Sequence, residues 1–390
     1  MAGRSLYDEV VITAPVTVRY VRYSVRSAHW FAARALGAAL EAAHLTPAAL
    51  DGLCLSSFTL APDTAVGLSQ QLGLTLRWLD HIPMGGASGI AALRRALRAV
   101  QCGDAAVVAC VGADTHHVQS FRRTLESFSQ FAQDAVYPYG AGGPNASFAL
   151  ITARYMQAYG LTREDFGKLC IAQRQNAVGF PLALFRKPLT LEEYLAARPI
   201  AEPLHLFDCV MPCAGAEAFL VMRRAQAVEL GLPGVRVLAT CERHNAYPDD
   251  PVQLRGGWAL DREELYGMAG IGPSDVDFVQ TYDDYPVISL MQLEDLGFCA
   301  KGEGARFIRT HSFTTEGDFP LNTSGGQLSV GQAGAAGGFL GLTEAIRQLT
   351  GAALGPAVRH ARRALVSGFG IINYDRGLCS GAAVLAGEGS

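Results

Sequence analysis

Three stretches of this chain gather residue types that could do chemistry. The first is Tyr282-Asp283-Asp284-Tyr285, which closes an apolar run over 276–281. A phenol titrates near 10, so Tyr282 would serve as a base only beside a cation or inside a hydrogen-bond network. Its other reading is a core tyrosine whose hydroxyl finds a partner. Adjacent residues of an extended chain point to opposite faces, so one of Asp283 and Asp284 at most is expected to face a site. Asp283 is the candidate, against a plain loop carboxylate satisfied by nearby amides. The second stretch is 322–338, NTSGGQLSVGQAGAAGG. So many glycines and alanines bring backbone close to a ligand, a turn or another backbone, with Gly325 and Gly326 as candidates for a substrate. Within it, Gln332 can donate and accept without titrating, and so could hold a carbonyl oxygen. The third is Gly86-Ala87-Ser88-Gly89, a turn that opens the helical run 90–100. Free N–H groups at such a helix start could stabilise an oxyanion. Ser88 could be a nucleophile, but no histidine is visibly placed as its base, and an N-cap role is the stronger reading.

Other candidates are weaker. His311 leads into the glycine stretch and is the histidine best placed to approach a site. Adjacent His116 and His117 make a poor metal pair, and the Cys209-x3-Cys213 spacing is not a zinc signature, so no metal is expected.

Composition limits the classes open to the chain. It has 390 residues, 49% hydrophobic and only 17% charged, which predicts a large buried core. A net charge of −4 gives no electrostatic case for nucleic acid. The nine cysteines lie mostly in apolar runs, as buried thiols do. No apolar run has the length of a membrane span, and Pro15 and Arg19 interrupt the N-terminal one. A soluble, cytoplasmic protein is expected.

The elements that must position these residues alternate. Helices are expected over 32–43, 90–100, 223–230, 262–269, 287–296 and 339–349. Strands are expected over 52–57, 105–111, 216–222, 235–240, 276–281, 364–366 and 382–386. Residues 115–205 are more polar and aromatic and read as a long excursion over a site. The same order before and after residue 232 suggests a duplicated α/β unit with a parallel or mixed sheet between helices.

Several segments in one order then resemble the thiolase superfamily, in the branch related to the sterol-carrier-protein thiolases. They are PMGGASG at 83–89, RYMQAYG at 154–160, 185–209 with 213–219, 281–304 and 322–338. The resemblance implies a five-layered αβαβα fold of two similar halves, 1–231 and 232–390, with a loop domain near 115–205 that binds acyl-CoA. It also shows what has changed. The nucleophilic cysteine position is Gly86, and the activating histidine position is Gln332. A chain without nucleophile and base cannot transfer an acyl group through a protein thioester.

Some members of this branch lack that cysteine and cleave a β-hydroxyacyl-CoA side chain from a steroid by retro-aldol chemistry, using tyrosines. They work with a small partner made of a zinc ribbon and an oligonucleotide-binding-type barrel. On that resemblance Tyr282 would take the β-hydroxyl proton or donate to the leaving carbonyl. Tyr374, just past a late glycine turn, would complement it or simply anchor a surface turn. The 86–89 helix start or Gln332 would hold an enolate, and Arg186, Lys187 and Arg198 could meet CoA phosphates. No redox cofactor is expected, with coenzyme A entering as part of the substrate. The implied assembly is a homodimer within a heteromer, and the apolar run 105–111 and the 86–89 helix start are compatible with such an interface. Two other readings stay open: an acyltransferase or condensing enzyme with a nucleophile such as Ser88 or a displaced cysteine, and a non-catalytic subunit of a complex.

Overall fold

The apolar runs become the interior strands of one mixed sheet. The computed structural model describes residue 7 and residues 9–126, 129–141 and 143–388. Its strands are β1 (Val10–Val21), β2 (Gly52–Ser56), β3 (Trp78–His81), β4 (Val107–Thr115), β5 (Pro199–Ala201), β6 (Leu204–His205), β7 (Ala214–Arg223), β8 (Val235–His244), β9 (Phe278–Gln280), β10 (Arg363–Asn373) and β11 (Arg376–Gly387). Nine of them form the main sheet in the order β3-β2-β4-β7-β1-β8-β11-β10-β9, and β5 and β6 form a separate hairpin.

The sense of pairing repeats about the centre. From β1 outward, β7 and β4 pair antiparallel, then β2 and β3 parallel. From β8 outward, β11 and β10 pair antiparallel, then β9 parallel, followed by a parallel bridge from Val279 to Leu321. β1 meets β8 only through Val11–Arg236 and Ile12–Val235. β1 is a strand that the sequence pattern hides. Pro15 argues against it, yet the register shifts between Thr13 and Val16, with Ala14 at φ 50°, and the bulge takes the proline without a ladder bond.

Two helices fix the centre. Ser88–Cys102 carries the expected stripe of Ile90, Leu93, Leu97 and Val100, all buried, and Gly103 ends it in a left-handed conformation. Leu93 and Leu97 are wholly buried, each contributing roughly 1.5–3 kcal/mol. Gly337–Leu349 packs against it, and both helices touch strands on either side of the β1–β8 junction. Their N-termini meet backbone to backbone. A Cβ on Gly89 would lie 1.9 Å from the Gly338 carbonyl oxygen, so only glycine permits this crossing.

The excursion at 115–205 folds mainly as helices, among them Val118–Glu126, Gln130–Ala135, Gly143–Tyr159, Arg163–Val178 and Leu191–Leu195. Capping boxes start the last two, Thr162 with Asp165 and Thr190 with Glu193. The run 105–111 is interior to the sheet. That run lies in and just before β4, which is paired on both sides, by β2 and β7, and offers no edge. The uncovered edge of the sheet is β3. No helix among the described residues is long and apolar enough to cross a membrane.

Candidate active site

The glycine at residue 86 is filled from outside. A Cβ there would lie 2.1 Å from the Tyr282 ring and 2.3 Å from the Phe369 carbonyl oxygen. The phenol therefore occupies the space that a side chain on the helix-opening turn would take. Gln332 Nε2 donates to the Tyr282 hydroxyl oxygen at 2.8 Å. That leaves the phenolic hydrogen free to donate to a substrate. Gln332 is held by its own backbone, whose N–H donates to Met211 O at 2.9 Å and whose carbonyl accepts from Cys213 N at 3.1 Å. Burial, then Asp284, raise the Tyr282 pKa well above 10, against the smaller effect of Gln332. No cation offsets this, so burial favours the protonated phenol, the form that can donate.

These residues form one end of a cavity of about 660 Å³. Gly85, Gly86, Asp284, Tyr285 and Gly370 line it there. Ile371 follows with φ 53°, an uncommon conformation for a β-branched residue, and it too lines the cavity. Tyr285 donates to Asn145 Oδ1 and stacks on Phe148 at 4.1 Å between centroids. The walls are apolar and aromatic, with Phe58, Phe121, Phe185 and Phe207 among them. Arg22, Arg174 and Arg198 add positive charge. Arg174 is buried, lies 4.9 Å from the Phe185 centroid and donates to Ser329 Oγ at 3.1 Å. The cavity thiol, Cys209, is pushed up to about 12 by burial and by Asp208 and Asp284, so it is not a thiolate at neutral pH.

The two aspartates, in the loop after β9, point to different places. Asp283 Oδ1 accepts from Gln327 N at 2.8 Å and Oδ2 from Leu328 N at 3.3 Å, away from the cavity. Asp284 lines the cavity, and its Oδ1 has no hydrogen-bond partner. Gly326 gives way to Asp283, since a Cβ there would lie 2.0 Å from Oδ2, and Gly325 packs against Ala177 and Gln173. Neither glycine lines the cavity.

Ser88 is fully buried. Its hydroxyl donates to Ile82 O and accepts from Met84 N, both at 3.1 Å, so it staples a turn and is neither N-cap nor free nucleophile. Gly89 serves the helix crossing. Tyr374 sits exposed in the β10–β11 turn at φ 53°, outside the cavity lining. His311 pairs with Asp318 at 2.8 Å on the surface, and exposed Arg186 donates to Val178 O at 3.4 Å. Lys187 lies 3.8 Å from Glu193, whereas Arg198 reaches the cavity. His116 also lines it, although the sequence shows no more than a histidine pair after a strand. No group of three His, Cys, Asp or Glu among the described residues could hold a metal.

Fold and site together define a thiolase-type protein whose nucleophile corner holds a tyrosine. The Thiolase C-terminal domain-like family model matches residues 256–378. The chain is 33% identical over 370 residues to the 17-hydroxy-3-oxo-4-pregnene-20-carboxyl-CoA lyase of Mycobacterium tuberculosis, covering 90% of this chain and 94% of that one. It is 32% identical over 348 residues to the steroid side-chain-cleaving aldolase of Thermomonospora curvata, covering 85% and 88%. The solved Ltp2-ChsH2(DUF35) aldolase superposes with a TM-score of 0.81 at 27% identity over 98% of each chain. The chain belongs to the thiolase superfamily, in the family of the steroid side-chain-cleaving aldolases, which are carbon–carbon lyases.

Proposed function

We propose that this protein cleaves a β-hydroxyacyl-CoA by a retro-aldol reaction. One observation carries the reading. The Tyr282 ring fills the side-chain space above Gly86 and is tied to Gln332, so a proton donor stands where acyl transfer would need a nucleophile. Thioester catalysis has nothing to attack with there. In a retro-aldol step the β-hydroxyl loses its proton, the Cα–Cβ bond breaks, and the electron pair becomes a thioester enolate. Tyr282 would donate to the enolate oxygen, with Gln332 orienting the phenol and the Gly86 backbone N–H, the one of the 86–89 helix start that lines the cavity, as a second donor. Protonation at Cα then gives a shorter acyl-CoA beside a ketone or aldehyde.

A steroid is the acyl class favoured by the names of the two relatives and by the aromatic walls of the cavity. Arg22, Arg174 and Arg198, which line the cavity, would meet the anionic CoA portion. The five-layered, two-half reading draws support from the repeated pairing sense about β1 and β8. The loop-domain reading of 115–205 draws support from the cavity residues His116 to Ile200 that it supplies. A small partner of the DUF35 type, joined to a homodimer of this chain, is the assembly in keeping with the related complex.

The test is mass spectrometry of the protein incubated with a panel of β-hydroxyacyl-CoAs, with and without a DUF35-type partner. A shortened acyl-CoA, a released ketone or aldehyde and an unmodified protein are expected. An acylated protein would overturn the reading in favour of acyl transfer.

A further inference from the structure

Retro-aldol cleavage needs a group to receive the hydroxyl proton, and burial disfavours the ionised form of Tyr282. We propose that Asp284, whose Oδ1 lacks a hydrogen-bond partner in the cavity that Tyr282 also lines, is the general base that takes this proton. The inference rests on the retro-aldol reading and completes it.

Asp284 is 8% exposed, lines the cavity and leaves Oδ1 without a hydrogen-bond partner. A buried carboxylate oxygen left unpaired is costly, whereas both oxygens of Asp283 accept from backbone amides. Its electrostatic neighbours place it in the reacting corner. It is the strongest charge acting on Tyr282, and it also acts on Tyr285 and on Cys209 from the facing segment. Burial, and then Asp283, raise its own pKa well above 3.8, while backbone N–H groups of Asp284 and Tyr285 lower it. The cavity's other ionisable groups, His116, Arg22, Arg174 and Arg198, are not among the influences on it. A carboxylate so destabilised is a better proton acceptor than an exposed one. His116 is the rival acceptor, since its Nδ1 also lacks a partner and burial keeps the imidazole neutral. It does not figure among the charges acting on Tyr282.

The step balances. The hydroxyl proton moves to Asp284, the C–O bond becomes a carbonyl, and the Cα–Cβ pair passes to the thioester as an enolate that Tyr282 holds. The proton on Asp284 then returns at Cα, so no co-reactant is consumed.

Asp284→Asn keeps shape and removes the base. It should lower kcat by about 10²–10⁴-fold. KM should stay near wild type, and a thioester lacking the β-hydroxyl should bind unchanged. Since the base must be ionised, wild-type kcat should rise with pH through the raised Asp284 pKa, and that limb should vanish in Asp284→Asn. Asp284→Glu should restore part of it. An Asp284→Asn enzyme that keeps both rate and limb, or a His116→Gln enzyme that loses the limb, would overturn the assignment while leaving the retro-aldol reading intact. If the wild type cleaves no β-hydroxyacyl-CoA, the function reading falls separately. Carbon-13 NMR titration of the free protein then decides on Asp284, and a carboxyl titrating in the ordinary aspartate range would overturn the proposal.

Discussion

Tyr282 is the residue on which the chemistry turns. It is buried, kept protonated by its surroundings and fixed by one bond from Gln332. Tyr282→Phe keeps the ring in the space over Gly86 and removes only the hydroxyl. Loss of one oxyanion donor costs roughly 10²–10³ in kcat. That fall, with KM within a few-fold of wild type, is the expected outcome of steady-state kinetics; an equal rise in KM would mean that the phenol only binds substrate. Tyr282 and Gln332 were legible from the sequence because each stands at a position the family fixes. Which aspartate faces the cavity was not legible. Alternation says that the two diverge, but only the amides of Gln327 and Leu328 decide that Asp283 is the one turned away.

At the scale of elements, Asp114 joins segments far apart in sequence. It is the penultimate residue of β4 and is wholly buried. It accepts from the Ser57 hydroxyl, Phe58 N, Thr59 N and the Thr59 hydroxyl after β2, and from Ala335 N in the glycine stretch. Gly334 must be glycine to let that carboxylate in, since its Cβ would lie 2.2 Å from Oδ2. Asp114→Ala strips five donors of their acceptor at once and should destabilise the fold by roughly 3–5 kcal/mol, seen as a lower denaturation midpoint at unchanged slope. The main helices and interior strands follow from apolar periodicity, with ends displaced by a few residues. Helix 262–269 begins at Trp258, and the late strand 364–366 extends to Asn373. β3 escapes because Trp78–His81 is short and half-buried, and its pairing with β2 is a tertiary fact.

For the whole molecule, buried acids set the response to pH. Glu217 is fully buried, and burial lifts its carboxyl from 4.5 to about 7, against Arg347 and the hydroxyls of Thr343 and Thr17. Asp283 is likewise lifted to about 7. A carboxyl whose folded pKa is raised favours folding when protonated, and that contribution is lost as pH climbs from the ordinary value through the folded one. Glu217→Gln should therefore gain on the wild type between about pH 4.5 and 7, by about 3 kcal/mol at most, and hold a constant difference above it. Thermal or denaturant unfolding across that range measures it; parallel curves would show that Glu217 does not titrate with folding.

The tyrosine ring over Gly86 has a further consequence, for mutational paths. A cysteine at 86 would strike the ring while Tyr282 remains, and the backbone oxygen of residue 369 whether or not it does. Removing Tyr282 first would leave an empty corner with neither donor nor nucleophile. Each single step toward acyl transfer thus passes through a damaged enzyme, and a histidine would still be wanting at 332. The two chemistries are separated by a fitness valley at least two substitutions wide. Single-site libraries of this protein should be blind to it, and only combined changes at 86, 282 and 332 can reach the other side.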